Sequence, residues 1–217
     1  YDYEDLQNVT LFSELEWHEN MGGTYRIQIQ DELVYIQWDE NELRIYDISD
    51  PTNPDSLTAH QIFPDDFTFM LAGDRMYSLG FAYEGIIRDV FPNTSISIYD
   101  ISDPYDPVRL GSYLDESGQG IYDAKLMGDY LVARTYEELM IFDVSIPRDI
   151  EQVGGSVGNS RRPGLNRSCV TSTSEYSFAT DQFGGLLICD LTSGDLPELV
   201  TEYEIDRISD IVVKEDL

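Results

Sequence analysis

Apolar and polar side chains alternate along many short runs of this chain. In "LRIYD", Leu43 and Ile45 alternate with Arg44 and Tyr46. This period of two, together with many β-branched and aromatic residues, is typical of β-strands. No segment shows a sustained helical period between capping residues. The pattern therefore predicts an all-β protein.

The same run returns four times and ends each time on aspartate. The copies are "LRIYD" (Leu43–Asp47), "ISIYD" (Ile96–Asp100), "LMIFD" (Leu139–Asp143) and "LLICD" (Leu186–Asp190), and the aspartates are 53, 43 and 47 residues apart. Such a period is found both in four-stranded propeller blades and in helical repeats. Because the local period is two, the blades are favoured.

Each repeat is predicted to contain four strands. In the first repeat they are Thr24–Gln30, Leu33–Trp38, 42–48 and Ser56–Phe63, and the later repeats follow the same order. Short polar or glycine-containing pairs, which tight hairpins need, separate the first strand from the second at Gln30-Asp31, Gly73-Asp74, Gly128-Asp129 and Ser174-Glu175. We expect a β-propeller with four complete blades of antiparallel strands and partial strands on either side.

The aspartate that ends each third strand has a predicted structural role. Its carboxylate can accept hydrogen bonds from backbone N–H groups just ahead, in an Asx turn, at Asp47, Asp100, Asp143 and Asp190. In the first two copies, Pro51 or Pro104 then fixes φ and ends the strand. The third and fourth copies, "DVSIPRD" and "DLTSGDLP", lack the Asp-Pro pair. Their loops are therefore expected to differ.

These runs resemble the LVIVD-repeat β-propellers of bacterial and archaeal surface proteins, which are named for a strand of the form Leu-x-Ile-x-Asp. They are also similar to secreted archaeal proteins with a propeller distantly related to WD40. The resemblance extends from Thr24 to the end of the chain, and "DISDPxxP" followed by a strand and Gly-Asp-Tyr/Leu is moderately specific for that group. It implies a surface or secreted setting and supplies no shared catalytic residues.

The two ends of the chain carry partial elements. Residues 1–23 form an N-terminal segment with a candidate closing strand at Asn8–Trp17, and residues 24–217 hold the blades. "RISDIVVKEDL" would supply one more first strand and stops where its partner would begin. Because a lone strand has open edges, we expect a truncated last blade in a natural protein that continues.

The charge balance restricts the classes of partner. The chain has 42 acidic and 13 basic residues, a formal net charge of −29. Such a field repels nucleic acid and anionic membranes, and no apolar run of about 18 residues offers membrane insertion. We expect a protein or surface-assembly partner. The composition fits a high-salt or acid-tolerant setting as well as an ordinary acidic extracellular surface.

One segment reverses the local charge. "NSRRPGLNRS" gathers Arg161, Arg162 and Arg167. Pairing of a solvated loop with neighbouring carboxylates is the favoured interpretation, and a docking site is the alternative.

Candidate chemistry is sparse. His18 and His60 are the only histidines and lie in no metal-binding or catalytic motif, so we expect ordinary loop or strand residues. Asp50, Asp103 and Asp106 could bind Ca²⁺ through oxygen ligands. Turn capping is the favoured role because no Asp-x-Asp-x-Asp-Gly loop occurs. No other cofactor is expected.

Cysteines and sequons complete the inventory. Cys169 and Cys189 are predicted on the first and third strands of one blade, about 9.6 Å apart, which is beyond disulfide reach, so both thiols should be free. Asn8, Asn93 and Asn166 stand in N-x-Ser/Thr sequons. Asn93 and Asn166 fall in predicted loops, as glycan acceptors must, and three sequons point weakly to export.

Two functions follow from the predicted architecture. The first is a non-enzymatic extracellular or cell-surface propeller that acts as a protein-interaction or structural module, within a larger surface assembly. The alternative is a propeller hydrolase or lyase that uses carboxylates at the central funnel. Loops from every blade meet at the axial end, so both roles are available there.

Overall fold

The structure, a computed structural model, describes residues 24–38, 42–61, 66–82, 93–115, 120–135, 139–156, 170–172, 175–180, 186–190 and 198–203. All regular structure within these ranges is β. The strands are β1 Thr24–Gln30, β2 Leu33–Trp38, β3 Glu42–Asp47, β4 Asp55–Gln61, β5 Asp66–Ala72, β6 Arg75–Ala82, β7 Asn93–Asp100, β8 Val108–Asp115, β9 Ile121–Met127, β10 Tyr130–Thr135, β11 Leu139–Asp143, β12 Glu151–Ser156, β13 Val170–Ser172, β14 Tyr176–Thr180, β15 Leu186–Asp190 and β16 Glu198–Tyr203.

The strands form four antiparallel sheets, each made of four strands consecutive in the chain. We name them blade 1 (β1–β4), blade 2 (β5–β8), blade 3 (β9–β12) and blade 4 (β13–β16). The four repeated runs occupy the third strand of successive blades, and their aspartates are the last residues of those strands. The predicted equivalence of the four runs is confirmed.

Neighbouring blades meet mainly through their first strands. β1 packs against β5, β5 against β9 and β9 against β13. This is the arrangement of a β-propeller, in which the first strand of each blade lies nearest the axis. The predicted fold class is confirmed.

Each blade uses one face towards the preceding blade, here called its rear face, and the other towards the following blade, its forward face. Tyr35, Leu43 and Ile45 on the forward face of blade 1 pack with Phe69 and Met76 on the rear face of blade 2. Alternate residues of a strand point to opposite faces, so β6 supplies Met76 to the rear face of blade 2 and Tyr77 to its forward face. A second cluster fills the space between blades 2 and 3, and its members include Tyr77, Ile96, Ile98, Leu131, Met140 and Phe142.

A β-bulge recurs at the same place in every blade. The register between the third and fourth strands shifts after Ile45, Ile98, Ile141 and Ile188. The extra residue on the fourth strand is Leu57, Leu110, Val153 or Val200 in blades 1 to 4. Leu57 and Leu110 pack against the clusters between blades, so the bulge turns an apolar residue of an outer strand towards the next blade.

One end of each blade carries both the hairpin between the first two strands and the loop after the third; we call it the Asp end. Asp31, Gly73 and Gly128 open these hairpins with φ of 55°, 56° and 56°. Gln30 pairs with Leu33, so the first hairpin turn is Asp31-Glu32. The predicted Gln30-Asp31 turn was wrong by one residue, because glycine, the usual signal for positive φ, is replaced by aspartate.

Candidate functional site

The loops at the Asp end are built by the repeated aspartates. The backbone N–H of Ser49 donates to Oδ1 of Asp47 at 2.8 Å. Ser102 donates its N–H to Asp100 at 2.9 Å and its hydroxyl at 2.7 Å. Ser145 does the same to Asp143, at 2.9 and 2.6 Å. Each carboxylate thus satisfies the first donors that the strand leaves unpaired.

A second backbone bond connects each loop to the neighbouring hairpin. The residue after the aspartate donates its N–H to the second hairpin residue, Ile48 to Glu32 O at 2.8 Å and Ile101 to Asp74 O at 2.9 Å. Val144 donates to Asp129 O at 2.8 Å. Hairpin and loop are therefore one rigid unit in blades 1, 2 and 3. Asp190 ends β15 at the equivalent position, and the loop after it lies outside the described residues.

These hydrogen bonds favour the ionised carboxylate. The hydroxyl and backbone N–H of Ser102 lower the pKa of Asp100, and those of Ser145 lower the pKa of Asp143. The backbone N–H of Ser49, followed by its hydroxyl, lowers the pKa of Asp47. All three groups are open to solvent. They remain charged to lower pH than an ordinary aspartate.

The third loop contradicts one expectation. Ile146 replaces the second aspartate of the motif, yet Asp149 N–H donates to Ile146 O at 2.9 Å, as Asn53 does to Asp50 O at 3.0 Å and Asp106 to Asp103 O at 3.1 Å. The predicted difference was wrong for blade 3. Pro147 fixes φ as Pro51 and Pro104 do, and the turn itself is held by backbone groups.

The calcium candidates take part in these turns. Asp50 Oδ1 accepts from the backbone N–H and the hydroxyl of Thr52, at 2.9 and 2.6 Å, and these two donors lower its pKa. Asp103 Oδ1 accepts from Tyr105 N–H at 2.9 Å. Asp106 is exposed. Within the described ranges, no three His, Cys, Asp or Glu residues are grouped to hold a metal ion.

A set of exposed carboxylates lies on the hairpins of the Asp end, between the first and second strands of the blades. Asp31, Glu32, Asp74, Asp129 and Glu175 belong to the hairpins of blades 1 to 4 and are exposed. The buried side chain of Tyr35 is affected by the charge of two of these carboxylates. Burial raises the pKa of Tyr35, and the carboxylates of Asp31 and Asp74 raise it further. The negative charges of blades 1 and 2 therefore both influence the Tyr35 hydroxyl.

The opposite end of the blades contains buried polar residues that sequence reasoning missed. Gln37, Arg134 and Thr135, at the ends of second strands, are 1%, 4% and 0% exposed. Arg134 lies directly opposite Asp123. Thr68 is 3% exposed, and its Oγ1 has no hydrogen-bond partner among the described residues. The sequence did carry a signal for these residues. Gln37 and Arg134 are polar at the strand position where the second repeat has the apolar Leu79.

The remaining candidates lie apart from the Asp end or outside the described residues. Asn93 is the first residue of β7 and pairs with Ala82. The prediction that it lies in a loop was therefore wrong, because β7 extends far enough to include it. His60 lies in β4 opposite Leu43, and Cys189 in β15. The following fall outside the described ranges: Asn8, His18, Arg161, Arg162, Asn166, Arg167 and Cys169. Free thiols, sequon use and arginine docking stay predictions.

Comparison with known proteins identifies the repeat. Residues 21–57 match the LVIVD repeat, a segment that contains β1, β2 and β3, and the predicted resemblance is confirmed there. No curated protein matches the chain. Among the described residues, no helix has the length and apolar character needed to cross a membrane.

Proposed function

We propose that this propeller is a non-enzymatic interaction module of an exported or cell-surface protein, and that its Asp end binds a protein partner rich in lysine and arginine. The LVIVD repeat and the four-stranded blades support the assignment as a propeller module. The LVIVD resemblance and the sequons support the surface setting.

The observation that carries this proposal is the construction of the Asp end. Carboxylates of four blades are exposed there on loops that backbone and Asx hydrogen bonds fix in three of them. A preformed surface loses little conformational entropy on binding. A concentrated negative field also accelerates encounter with a cationic partner, most strongly at low ionic strength.

The four turn aspartates are not suited to act as the general acid of a hydrolase or lyase. A general acid needs a carboxyl group with a raised pKa, usually through burial. Asp47, Asp50, Asp100 and Asp143 are shifted in the opposite direction because they accept hydrogen bonds in solvent. These aspartates are better suited to hold the turns and to remain negatively charged at the surface.

Carbodiimide cross-linking on intact cells tests the binding surface. The reagent joins carboxylates to amines without a spacer. Lys125 and Lys214 are the only lysines of this chain, so most products should join it to a partner's lysines. We expect linked peptides to contain Glu32, Asp74 or Asp129, and the variant E32Q/D74N/D129N should lose the adduct.

The control removes the same charge from the other end of the blades. E42Q/D66N/D115N alters the first residues of β3 and β5 and the last residue of β8, and should keep the adduct. Equal loss in both variants would show a general effect of net charge and refute a site at the Asp end. Immunolabelling of intact cells tests the setting separately: labelling seen only after permeabilisation would exclude surface display.

A further inference from the structure

Three exposed apolar side chains lie where blade 2 meets blade 3 at the Asp end. Tyr105, in the second loop (101–107), is 62% exposed, and Val108, the first residue of β8, is 52% exposed. Ile146, in the third loop (144–150), is 59% exposed. We call these three residues the junction patch. Single apolar side chains are common on protein surfaces, whereas a group of them on one surface marks an interaction site.

The contact between the third loop and β8 brings the junction patch together. A Cβ on Gly111 would lie 1.7 Å from Pro147 O, so the backbone of the third loop lies directly on β8. Ile146 precedes Pro147 in that loop. Val108 lies at most about 10 Å from Gly111 along β8, and Tyr105 belongs to the turn that leads into this strand. The junction patch is therefore one local surface to which two blades contribute.

The repeat shows that these positions are polar elsewhere. The equivalent residues of the other described loops are all polar or charged, and all are exposed. They are Thr52 and Arg148 for Tyr105, Asp55 and Glu151 for Val108, and Asp50 and Asp103 for Ile146. All three departures from the polar pattern therefore fall at the junction of blades 2 and 3.

The turns do not need apolar side chains at these positions. The third turn is closed by the carbonyl of Ile146, which accepts from Asp149 N–H at 2.9 Å, and the first two loops close the same turn with aspartate there. The backbone N–H of Tyr105 donates to Asp103 Oδ1 at 2.9 Å, a bond that threonine makes in the first loop. Contact of apolar surface with water is unfavourable, so burial of the junction patch against a partner would be favourable.

Carboxylates surround the junction patch. The segments 100–109 and 143–151 contain six acidic and two basic residues. The acidic residues are Asp100, Asp103, Asp106, Asp143, Asp149 and Glu151, and the basic residues are Arg109 and Arg148. Backbone bonds also join the second loop to the hairpin of Asp74 and the third loop to that of Asp129. The junction patch is thus continuous with the acidic surface of the Asp end and complements a cationic partner.

We propose that the junction patch is the apolar anchor of the Asp end, and that it receives an aliphatic or aromatic side chain from a lysine- and arginine-rich segment of a protein partner. This inference rests on the proposed function and specifies the partner further. The basic residues on either side of the anchoring side chain pair with the surrounding carboxylates. Such a contact has the usual construction of a protein interface, a buried apolar centre within a polar rim.

Fluorescence anisotropy with two labelled lysine-rich peptides of equal charge tests this proposal. One peptide has a pair of leucines at its centre and the other a pair of serines. The full 217-residue chain should bind the leucine peptide about tenfold more tightly than the serine peptide. Salt at about 0.15 M limits attraction at long range.

The variant Y105T/V108D/I146D gives the junction the residues that the first loop has at the same positions. It should bind the two peptides with nearly equal affinity. Because it adds two carboxylates, a site that worked by charge alone would bind both peptides more tightly and keep their ratio. Leu114→Asp, at a residue that is 51% exposed near the other end of β8, is the control and should keep the preference for leucine.

Failure of this inference can be told apart from failure of the proposed function. E32Q/D74N/D129N should weaken the binding of both peptides and keep the preference for leucine. If it weakens both while the wild type shows no preference, or while Y105T/V108D/I146D retains the preference, only the apolar anchor is refuted. If it leaves both affinities unchanged, the proposed function fails and this inference fails with it.

Other occupants of the junction patch give different results. A wild-type dimer in sedimentation velocity that Y105T/V108D/I146D abolishes would show that a second copy of the chain covers the patch. A melting temperature lowered by several degrees in this variant but not in Leu114→Asp would show that another segment of the same chain covers it. Either result would overturn the proposal.

Discussion

Two contacts between blades, equivalent in the repeat, are held together differently. Between blades 1 and 2, the side-chain amide of Gln28 donates to Phe69 O at 2.8 Å and accepts from Leu71 N–H at 2.9 Å. Gln30 adds a bond to Gly73 O at 2.8 Å. Between blades 2 and 3, the equivalent residues are Met70 and Ala72, which pack against the apolar cluster.

The second contact is also closer on its outer side. A Cβ on Gly111 of β8 would lie 1.7 Å from Pro147 O in the third loop. Tyr113 of β8 meets Phe142 edge-on, with ring centroids 5.1 Å apart. A fixed backbone position can thus be held by hydrogen bonds to an inner strand or by close apolar contact, and the two solutions should respond differently to substitution.

The largest effect is expected from Phe142→Ala, at the centre of the contact between blades 2 and 3. The ring is 0% exposed, and its removal leaves a cavity and an unsupported Tyr113. We expect a loss of about 3–5 kcal/mol in the free energy of unfolding, measured by urea denaturation. Tyr105→Ala, at a tyrosine that is 62% exposed, should cost less than about 0.5 kcal/mol. Similar losses in the two variants would contradict the described core.

Gly111→Ala should come next, with a loss of about 1–3 kcal/mol, because the new methyl group would overlap backbone atoms that cannot rotate away. The matched variant is Gly73→Ala. A Cβ there meets nothing within 4 Å and encounters only the strain of φ +56°, so its cost should be smaller. If Gly73→Ala proved the more damaging of the two, the close approach of the third loop to β8 would be wrong.

Gln28→Met gives blade 1 the residue that blade 2 uses at the same position. The change removes the two hydrogen bonds of the Gln28 side chain to Phe69 O and Leu71 N–H in a part-buried site, so we expect a loss of about 1–2 kcal/mol. Gln30→Met removes an exposed bond that water can replace and should cost under about 0.5 kcal/mol. Equal denaturation midpoints for wild type and Gln28→Met would show that apolar packing serves both contacts equally well.

Asp31→Gly should stabilise the protein slightly. Asp31 is the one residue other than glycine with positive φ among the described residues, at 55°, and blades 2 and 3 have glycine there. Relief of this conformation should add about 0.5–1 kcal/mol, read as a higher melting temperature. Glu32→Gly is the control, since it lies outside positive φ and should bring no gain.

Asp100 is expected to show the smallest effect. Asp100→Ala leaves the two Ser102 donors without their acceptor, and Asp100→Asn keeps an oxygen there, so alanine should lower the melting temperature more than asparagine. The pKa of Asp100 in the folded chain lies below its ordinary value of 3.8. Its contribution is therefore complete well above pH 3.8 and is lost as the pH falls through the folded value.

Melting curves at several pH values check this prediction. The gap between wild type and Asp100→Ala should be present at pH 7 and should close in strong acid. Addition of Ca²⁺ or a chelator should leave the gap unchanged if the carboxylate serves the turn. A chelator that lowered the wild-type melting temperature to that of both variants would instead indicate a metal ligand.

Much of the fold could be predicted because each strand carries its own pattern. The bounds of β1 and β2 agree with those expected from alternation, and the aspartates fall at the expected strand ends. The hairpin at Asp31 was misplaced because its backbone conformation is set by the pairing of Gln30 with Leu33, and aspartate carries no clear signal for it.

The candidate site could be predicted only in part, because its contacts cross between blades. Nothing near Gly111 in the sequence reveals that Pro147 lies against it. The Gln28 amide is one polar residue among several on an inner strand. The preserved turn at Ile146 shows the converse error, since a changed side chain suggested a changed loop while proline and backbone bonds kept it the same.

The contact between Gly111 and Pro147 has a consequence for exchanging blades between propellers. Blade 3 fits against the forward face of blade 2 because residue 111 of β8 is glycine. The equivalent position in β4, opposite Ile45, is Thr58. A graft of blade 3 directly onto the forward face of blade 1 would bring the Pro147 carbonyl against the Thr58 side chain. In gene duplication, as in protein engineering, a loop of this type can therefore be inherited only together with a small residue on the outer strand of its neighbour.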